Sequence, residues 1–126
     1  MARHFPIFID LCRSPPLVVG ADPALAAKLR LLRGFAPLVD LITFHDKVPA
    51  GLGLAGVRHI TGISYEGACR HFTGRSLVVI KTGDRALDGS LSRQALRIGV
   101  PVNVPDEPAL CSFYLGSIVD RDPVIL

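Results

Sequence analysis

The sequence lacks several features that would place it in particular classes of protein. No apolar run is long enough to span a bilayer, which argues against a membrane protein. Residues 1–6 lack the long apolar core of a signal peptide, so we expect a cytoplasmic protein. The three cysteines are odd in number and widely spaced, which favours reduced thiols over a disulfide framework.

Patterns typical of nucleic-acid, metal and nucleophilic sites are missing as well. The net charge of +3 is mild and the basic residues are scattered without aromatic interleaving, so no nucleic-acid partner is expected. An anionic small molecule is easier to accommodate. The four histidines show no paired metal-ligand spacing, and we predict no metal site. No Ser/His/Asp pattern and no phosphate loop is present.

The stretch around which the rest is organised, residues 15–34, predicts a strand, a turn and a helix. Leu17–Val19 is apolar and β-prone, and Gly20 allows the turn. Pro23 suits the first position of a helix, with Asp22 before it as the N-cap. The leucines that follow share one helical face, and a glycine ends the pattern: Leu25, Leu29, Leu32 and Gly34. A dinucleotide-binding fold holds its pyrophosphate at such a turn.

The glycines that such a turn needs are mostly replaced. The fingerprint Gly-x-Gly-x-x-Gly/Ala falls on Gly20, Asp22 and Leu25, so only the first position matches. Asp22 also brings a carboxylate to the phosphates. Two like charges about 4 Å apart cost roughly 4 kcal/mol at an effective dielectric constant near 20, which is roughly a thousandfold in affinity. We therefore predict that NAD binding is weak or lost.

The remaining elements alternate between strand and helix. The pattern predicts strands at 38–44, 57–60, 76–81 and 100–104, helices at 65–72 and 86–98, and edge strands or a hairpin at 111–115 and 117–119. Such alternation implies an α/β protein with a mostly parallel sheet covered by helices on both faces. We predict one Rossmann-like three-layer αβα domain over residues 1–126, with strands 17–19, 77–80 and 102–104 parallel at its centre. Residues 5–11 should pack on the sheet edge or the first helix.

The topology also predicts where a ligand binds. Ligands of open parallel sheets lie beyond the carboxyl ends of the strands at the switch point, so residues 20–23 and 81–84 should face one crevice. An acid after the second strand would bind the adenosine ribose, and Asp46 lies slightly late for that role.

Four stretches carry a family resemblance. They are Phe-Pro-Ile-Phe-Ile-Asp-Leu at 5–11, Leu-Val-Val-Gly at 17–20 with its helix at 26–32, Thr-Gly-Asp-x-x-Leu at 82–87, and Val-Asn-Val-Pro-Asp-Glu-Pro at 102–108, followed by matches at 112–113 and 117–123. In this order and spacing they resemble the N-terminal domain of bacterial siroheme synthases and the stand-alone precorrin-2 dehydrogenases. The family implies NAD-dependent oxidation of precorrin-2 to sirohydrochlorin, with iron insertion in bifunctional members.

The resemblance implies roles for individual residues. Asp106 matches the family's acid/base, and we predict that it faces the crevice near Gly20 and Thr82; its alternative is a turn-stabilising aspartate. The expected cofactor-binding residues are Gly20, Ala21, Asp22, Thr82, Asp84 and Asn103, and the expected residues for the tetrapyrrole substrate are Lys81 and Ser112. Lys81 could also pair with Asp22, or be an ordinary solvated lysine.

The family resemblance also bears on assembly and on a second hypothesis. The family's active site is completed by a dimerisation region beyond the Asp-Arg-x-Pro segment, where this sequence stops. With an apolar lead-in and an apolar tail at 124–126, we expect a homodimer. Gly83 replaces the first of the family's paired acids. Together with the Asp22 turn, this leaves open a degenerate, non-catalytic homologue that acts as a tetrapyrrole-binding or interaction module.

Overall fold

A computed structural model describes residues 4–45 and 55–115, and the backbone of two short strands after them. In chain order the elements are β1 (Leu17–Val19), α1 (Leu25–Arg33), β2 (Val39–Ile42), β3 (Val57–Ile60), α2 (Tyr65–Arg70), β4 (Val78–Ile80), α3 (Arg85–Arg97), β5 (Val102–Asn103), a 3-10 helix (Pro108–Leu110), β6 (Asp120–Arg121) and β7 (Val124–Ile125). None of the described helices is long and apolar enough to cross a membrane.

Strands β1 to β5 form one parallel sheet in the order β3-β2-β1-β4-β5. The predicted central strands are therefore parallel, and the switch point lies between β1 and β4, where the chain order reverses. β6 and β7 pair antiparallel in a separate sheet. This topology confirms the Rossmann-like α/β prediction.

Alternation along each strand produces two cores. Val18 packs with Leu25, Leu29 and Leu32 of α1 on one face of the sheet. Leu17 and Val19 point to the other face, where they join Ala68 of α2 and Leu91 of α3. The sheet thus has α1 on one side and α2 and α3 on the other, which is the predicted three-layer arrangement.

Three details of the sequence prediction are wrong. Helix α1 starts at Leu25, and Ala24, not Asp22, is its N-cap residue. The Asp22 carboxylate instead accepts the amide of Ala24 at 2.9 Å and closes a turn that precedes the helix. Of the apolar lead-in, Leu11 packs in a core, but Phe5 and Phe8 remain 86% and 82% exposed.

The third wrong detail concerns residues 111–115, which lie beside β5 without forming a strand. The carbonyl of Val102 accepts the amides of both Ser112 and Phe113, at 2.8 and 3.4 Å. The amide of Val102 donates to the Ser112 hydroxyl at 2.9 Å. Because these bonds converge on one residue of β5, the ladder does not continue. The predicted strand at 117–119 lies outside the described residues.

Candidate functional site

The turns after β1 and β4 lie against each other at the carboxyl edge of the sheet. The amide of Lys81 donates to the carbonyl of Val19 at 2.9 Å, and the amide of Asp22 donates to the carbonyl of Lys81 at 3.4 Å. Gly20 has a φ of +126°, and a Cβ there would lie 2.0 Å from the Lys81 carbonyl oxygen. Only glycine allows this close approach. The two turns predicted to share a crevice are therefore adjacent.

The backbone amides of the Gly20 turn are mostly used within the protein. Gly20 donates to the carbonyl of Ile42 at 2.8 Å, and Ala24 donates to the carboxylate of Asp22. The amides that follow, of Leu25 and Ala26, donate to the carbonyls of Asp22 and Pro23. Proline has no amide hydrogen. Among the described contacts of residues 20–26, Ala21 alone has an amide without an acceptor in the protein.

The turn between β4 and α3 is held by two carboxylates. Asp84 is the N-cap of α3 and accepts the amides of Ala86 and Leu87 at 3.0 and 3.2 Å. Asp88, only 2% exposed, accepts both the amide and the hydroxyl of Thr82, at 2.9 and 2.6 Å. The polar groups of Thr82 and Asp84 thus shape their own turn. Their role toward a cofactor stays a prediction.

Lys81 connects this turn to the one that carries Asp106. Its ammonium donates to the carbonyl of Pro105 at 3.3 Å, and it is absent from the ion pairs of the described residues, so it does not pair with Asp22. Asp106 is exposed, just beyond β5, with a φ of +64° that places it in the left-handed region. Aspartate is among the few residues that tolerate this conformation. Asp106 thus lies at the same edge as Gly20; the direction of its side chain stays a prediction.

Asn103 and Ser112 hold the segment after the 3-10 helix against β5. The Asn103 amide group donates to the carbonyl of Phe113 at 3.1 Å, and Asn103 is 6% exposed. Ser112 accepts the amide of Val102. The thiol of Cys111 accepts the amide of Val104 at 3.2 Å on the same side. These contacts support the wall of the crevice, and ligand binding by Asn103 or Ser112 stays a prediction.

The ribose end of the crevice is described only in part. Asp46 lies outside the described residues. Directly after β2 stands Thr43, 1% exposed, whose hydroxyl lies 2.7 Å from Nε2 of His59 and donates to the carbonyl of His45. In the described part of the chain, this end of the sheet therefore carries a buried, hydrogen-bonded hydroxyl and a half-buried imidazole.

Comparison with known proteins shows the family to which the chain belongs. A family model described as NAD(P)-binding matches residues 7–117. The chain belongs to this family. The chain is also similar to siroheme synthases from Methylobacillus flagellatus (34% identical over 123 residues), Nitrosomonas eutropha (33% over 127) and Ectopseudomonas mendocina (36% over 125). These alignments cover 96–98% of this chain and 26% of each relative, so the chain spans about a quarter of their length. Its place in the family is that of a siroheme synthase N-terminal domain.

The family's fold suits a nicotinamide cofactor, whereas the Gly20 turn as folded fits a pyrophosphate poorly. The second position of the fingerprint, where the backbone approaches the pyrophosphate, is occupied by Asp22. The carboxylate of Asp22 accepts the hydrogen bond of the Ala24 amide. This amide lies at the N-terminus of α1, the end of a helix that attracts anions. Within residues 20–26, as far as their contacts are described, the amide of Ala21 is the one that remains to donate to a phosphate. The described geometry agrees with the prediction of weak NAD binding without testing it.

Two polar clusters escaped the sequence analysis. One is Asp88 with Thr82, described above. The other is Asp40, fully buried on β2, which accepts hydrogen bonds from Arg58 and Arg75. Burial raises the pKa of Asp40, but the hydrogen bonds and charges of both arginines outweigh it, so the pKa lies below its usual value. A single acid within the apolar strand Val39–Ile42 is the signal that could have predicted a buried ion pair.

No group of three or more His, Cys, Asp or Glu residues within the described ranges could hold a metal ion. The three cysteines are free thiols. Burial raises the pKa of the Cys69 thiol, which disfavours its reactive thiolate form.

Proposed function

We propose that this chain acts in siroheme biosynthesis as a precorrin-2 dehydrogenase-type domain that oxidises precorrin-2 to sirohydrochlorin with NAD, for which it has low affinity. One observation carries the proposal: the turns of Gly20, Lys81 and Asp106 meet at one edge of a parallel sheet. That edge is where such sheets bind their ligands. Family membership and the siroheme synthase relatives support the same assignment.

The chain's own residues would bind the substrate and move its protons. Asp106 is exposed at the crevice edge, where a carboxylate accepts a proton from the substrate as general base. Lys81 uses one donor on Pro105, and an ammonium has three, so donors remain for a tetrapyrrole carboxylate. A nicotinamide supplies the hydride acceptor when bound.

A turnover assay tests this function directly. The full chain is incubated with NAD and freshly prepared precorrin-2, and both NADH formation and the sirohydrochlorin spectrum are followed. We expect slow, NAD-dependent conversion that saturates only at high NAD concentration. If no conversion occurs at any NAD concentration, with either the wild type or a variant that binds NAD tightly, the proposal is wrong.

A second candidate function is a non-catalytic tetrapyrrole-binding module. The observation that favours it is the Gly20 turn, where Asp22 and internal hydrogen bonds occupy the positions a pyrophosphate needs. Titration of NAD, NADH and sirohydrochlorin against the full chain separates the two functions. Tetrapyrrole binding without measurable dinucleotide binding would support the module, and binding of both ligands supports the dehydrogenase.

We further propose that the chain forms a homodimer. The lead-in places Phe5, Ile7 and Phe8 on the surface at 86%, 63% and 82% exposure, and such an exposed apolar patch favours a protein partner. Light scattering of the full chain should give twice the mass of 13.5 kDa. A monomer at high concentration would contradict this.

A further inference from the structure

A second polar site lies at the opposite, amino-terminal edge of the sheet. Asp40 is in register with Leu17, the first residue of β1, and with Arg58 on β3. Arg58 donates to both Asp40 oxygens, from Nε at 2.8 Å and from Nη2 at 2.7 Å. The side chain of Arg58 is nevertheless 58% exposed, so one side of its guanidinium faces outward. The buried acid therefore orients an arginine that still reaches solvent.

Arg75 is fixed more tightly in the same cluster. Its side chain is 9% exposed, and its Nη1 donates to Asp40. Its Nε donates to the carbonyl of His71 at 2.7 Å, and Nη1 also approaches the carbonyl of Pro15 at 3.4 Å. Because these contacts hold the guanidinium in one orientation, little conformational entropy is lost when it donates to a ligand.

These side chains border a hollow of about 290 Å³, which we name the basic hollow. The polar residues of its wall are Ser14, Arg58, Arg70, His71, Thr73 and Arg75. Three arginines line the hollow, and two of them, Arg58 and Arg75, pair with the buried carboxylate of Asp40. No acidic residue of the described ranges belongs to the wall itself. The hollow therefore has an excess of positive charge and of hydrogen-bond donors.

We propose that the basic hollow is a binding site for a phosphate-type oxyanion, either free phosphate or the phosphate of a small phosphomonoester. Guanidinium groups present forked donors that match the oxygens of such an anion. Arg70 is exposed and makes no ion pair among the described residues, so its charge is available to a ligand. The exposed hydroxyl of Thr73 adds a neutral donor. The site is separate from the crevice at the carboxyl edge and is independent of the proposed function.

The test is a titration of the ¹⁵N-labelled full chain with inorganic phosphate, followed by amide chemical shifts, with sodium chloride added to match ionic strength. A second titration uses glycerol phosphate. If inorganic phosphate binds more tightly, the site takes free phosphate; if glycerol phosphate binds more tightly, the site takes a phosphomonoester. We expect saturable shifts at Arg58 and at residues 70–75. Arg70→Gln should raise the dissociation constant about tenfold, the effect of losing one charge-assisted hydrogen bond.

Arg93→Gln is the matched control, because Arg93 is an exposed arginine on α3 outside the basic hollow. It should leave phosphate binding unchanged. The proposal is overturned if phosphate shifts no more than chloride does, if the shifts fall only at Gly20 and Thr82, or if Arg93→Gln weakens binding as much as Arg70→Gln. Arg58→Gln provides a second variant. The buried carboxylate of Asp40 still pairs with Arg75 when glutamine replaces Arg58.

Discussion

The aspartate of the Gly20 turn provides the sharpest test of the cofactor prediction. Asp22 stands where the dinucleotide fingerprint has its second glycine, and its carboxylate accepts the amide of Ala24 at 2.9 Å. Replacing it by glycine removes a Cβ and a negative charge, and frees that amide for a phosphate. We expect Asp22→Gly to raise NAD affinity at least about tenfold.

The magnitude follows from the charge alone. A carboxylate about 4 Å from a phosphate charge costs roughly 4 kcal/mol at an effective dielectric constant near 20. Recovering a third of this energy is about 1.4 kcal/mol, which is tenfold in affinity. Asp22→Gly removes one exposed hydrogen bond between a side chain and the backbone, which costs about 1 kcal/mol in stability, so the variant should fold.

Calorimetric titration with NAD measures the effect, and two further variants separate its causes. Asp22→Asn removes the charge but keeps the Cβ, so its affinity for NAD should lie between those of the wild type and of Asp22→Gly. Glu66→Gln removes an exposed acid from α2 and controls for net charge; it should change nothing. Tight binding by the wild type, or equal affinities for the wild type and Asp22→Gly, would refute the reasoning.

Four further predictions concern the fold and the site. Gly20→Ala should lower the free energy of unfolding, measured by urea denaturation, by at least about 3 kcal/mol, because its Cβ would lie 2.0 Å from a carbonyl oxygen. Gly62→Ala is the control: its φ is +73° but the space around it is open, so it should lower the free energy of unfolding by about 1 kcal/mol. The ionised form of Asp40 stabilises the fold because its pKa is lowered, so this contribution should persist above about pH 4 and fade as the pH drops through the folded pKa. Asp40→Ala should cost roughly 3–5 kcal/mol in thermal unfolding at neutral pH, since it leaves Arg75 buried without a counter-charge, and should abolish that acid dependence. If the chain is active, Asp106→Ala should reduce turnover more than it weakens dinucleotide binding, and an equal loss of both would exclude a proton-transfer role.

The central part of the fold was predictable because its signals are local. Continuous apolar runs at Leu17–Val19 and Val78–Ile80, separated by helical spacing, imply buried parallel strands, and the structure confirms them. The segment at 111–115 was predicted to be an edge strand or part of a hairpin, and this prediction was wrong. Its hydrogen bonds to Val102 depend on the geometry of β5, which no local pattern contains.

The candidate site divides in the same way. The topological rule brings the Gly20 and Lys81 turns to one edge, and the sequence alone predicted that they meet. The sequence also suggested a Lys81–Asp22 pair, but the lysine contacts Pro105 instead. Which of several partners a long side chain reaches depends on the positions of all neighbouring turns, and sequence spacing does not define these.

Sequence by itself determined the order of β1 to β5 and of the three α-helices between them, the single glycine of the first turn and the acid two residues after it. Each of these depends on the residues' own conformational preference or charge. The tertiary structure alone decided which polar groups are already used. It placed Asp88 on Thr82 and joined Asp40 to arginines 18 and 35 residues away. A buried carboxylate is stable only beside its donors, and donors so distant in the chain become neighbours only when the sheet assembles.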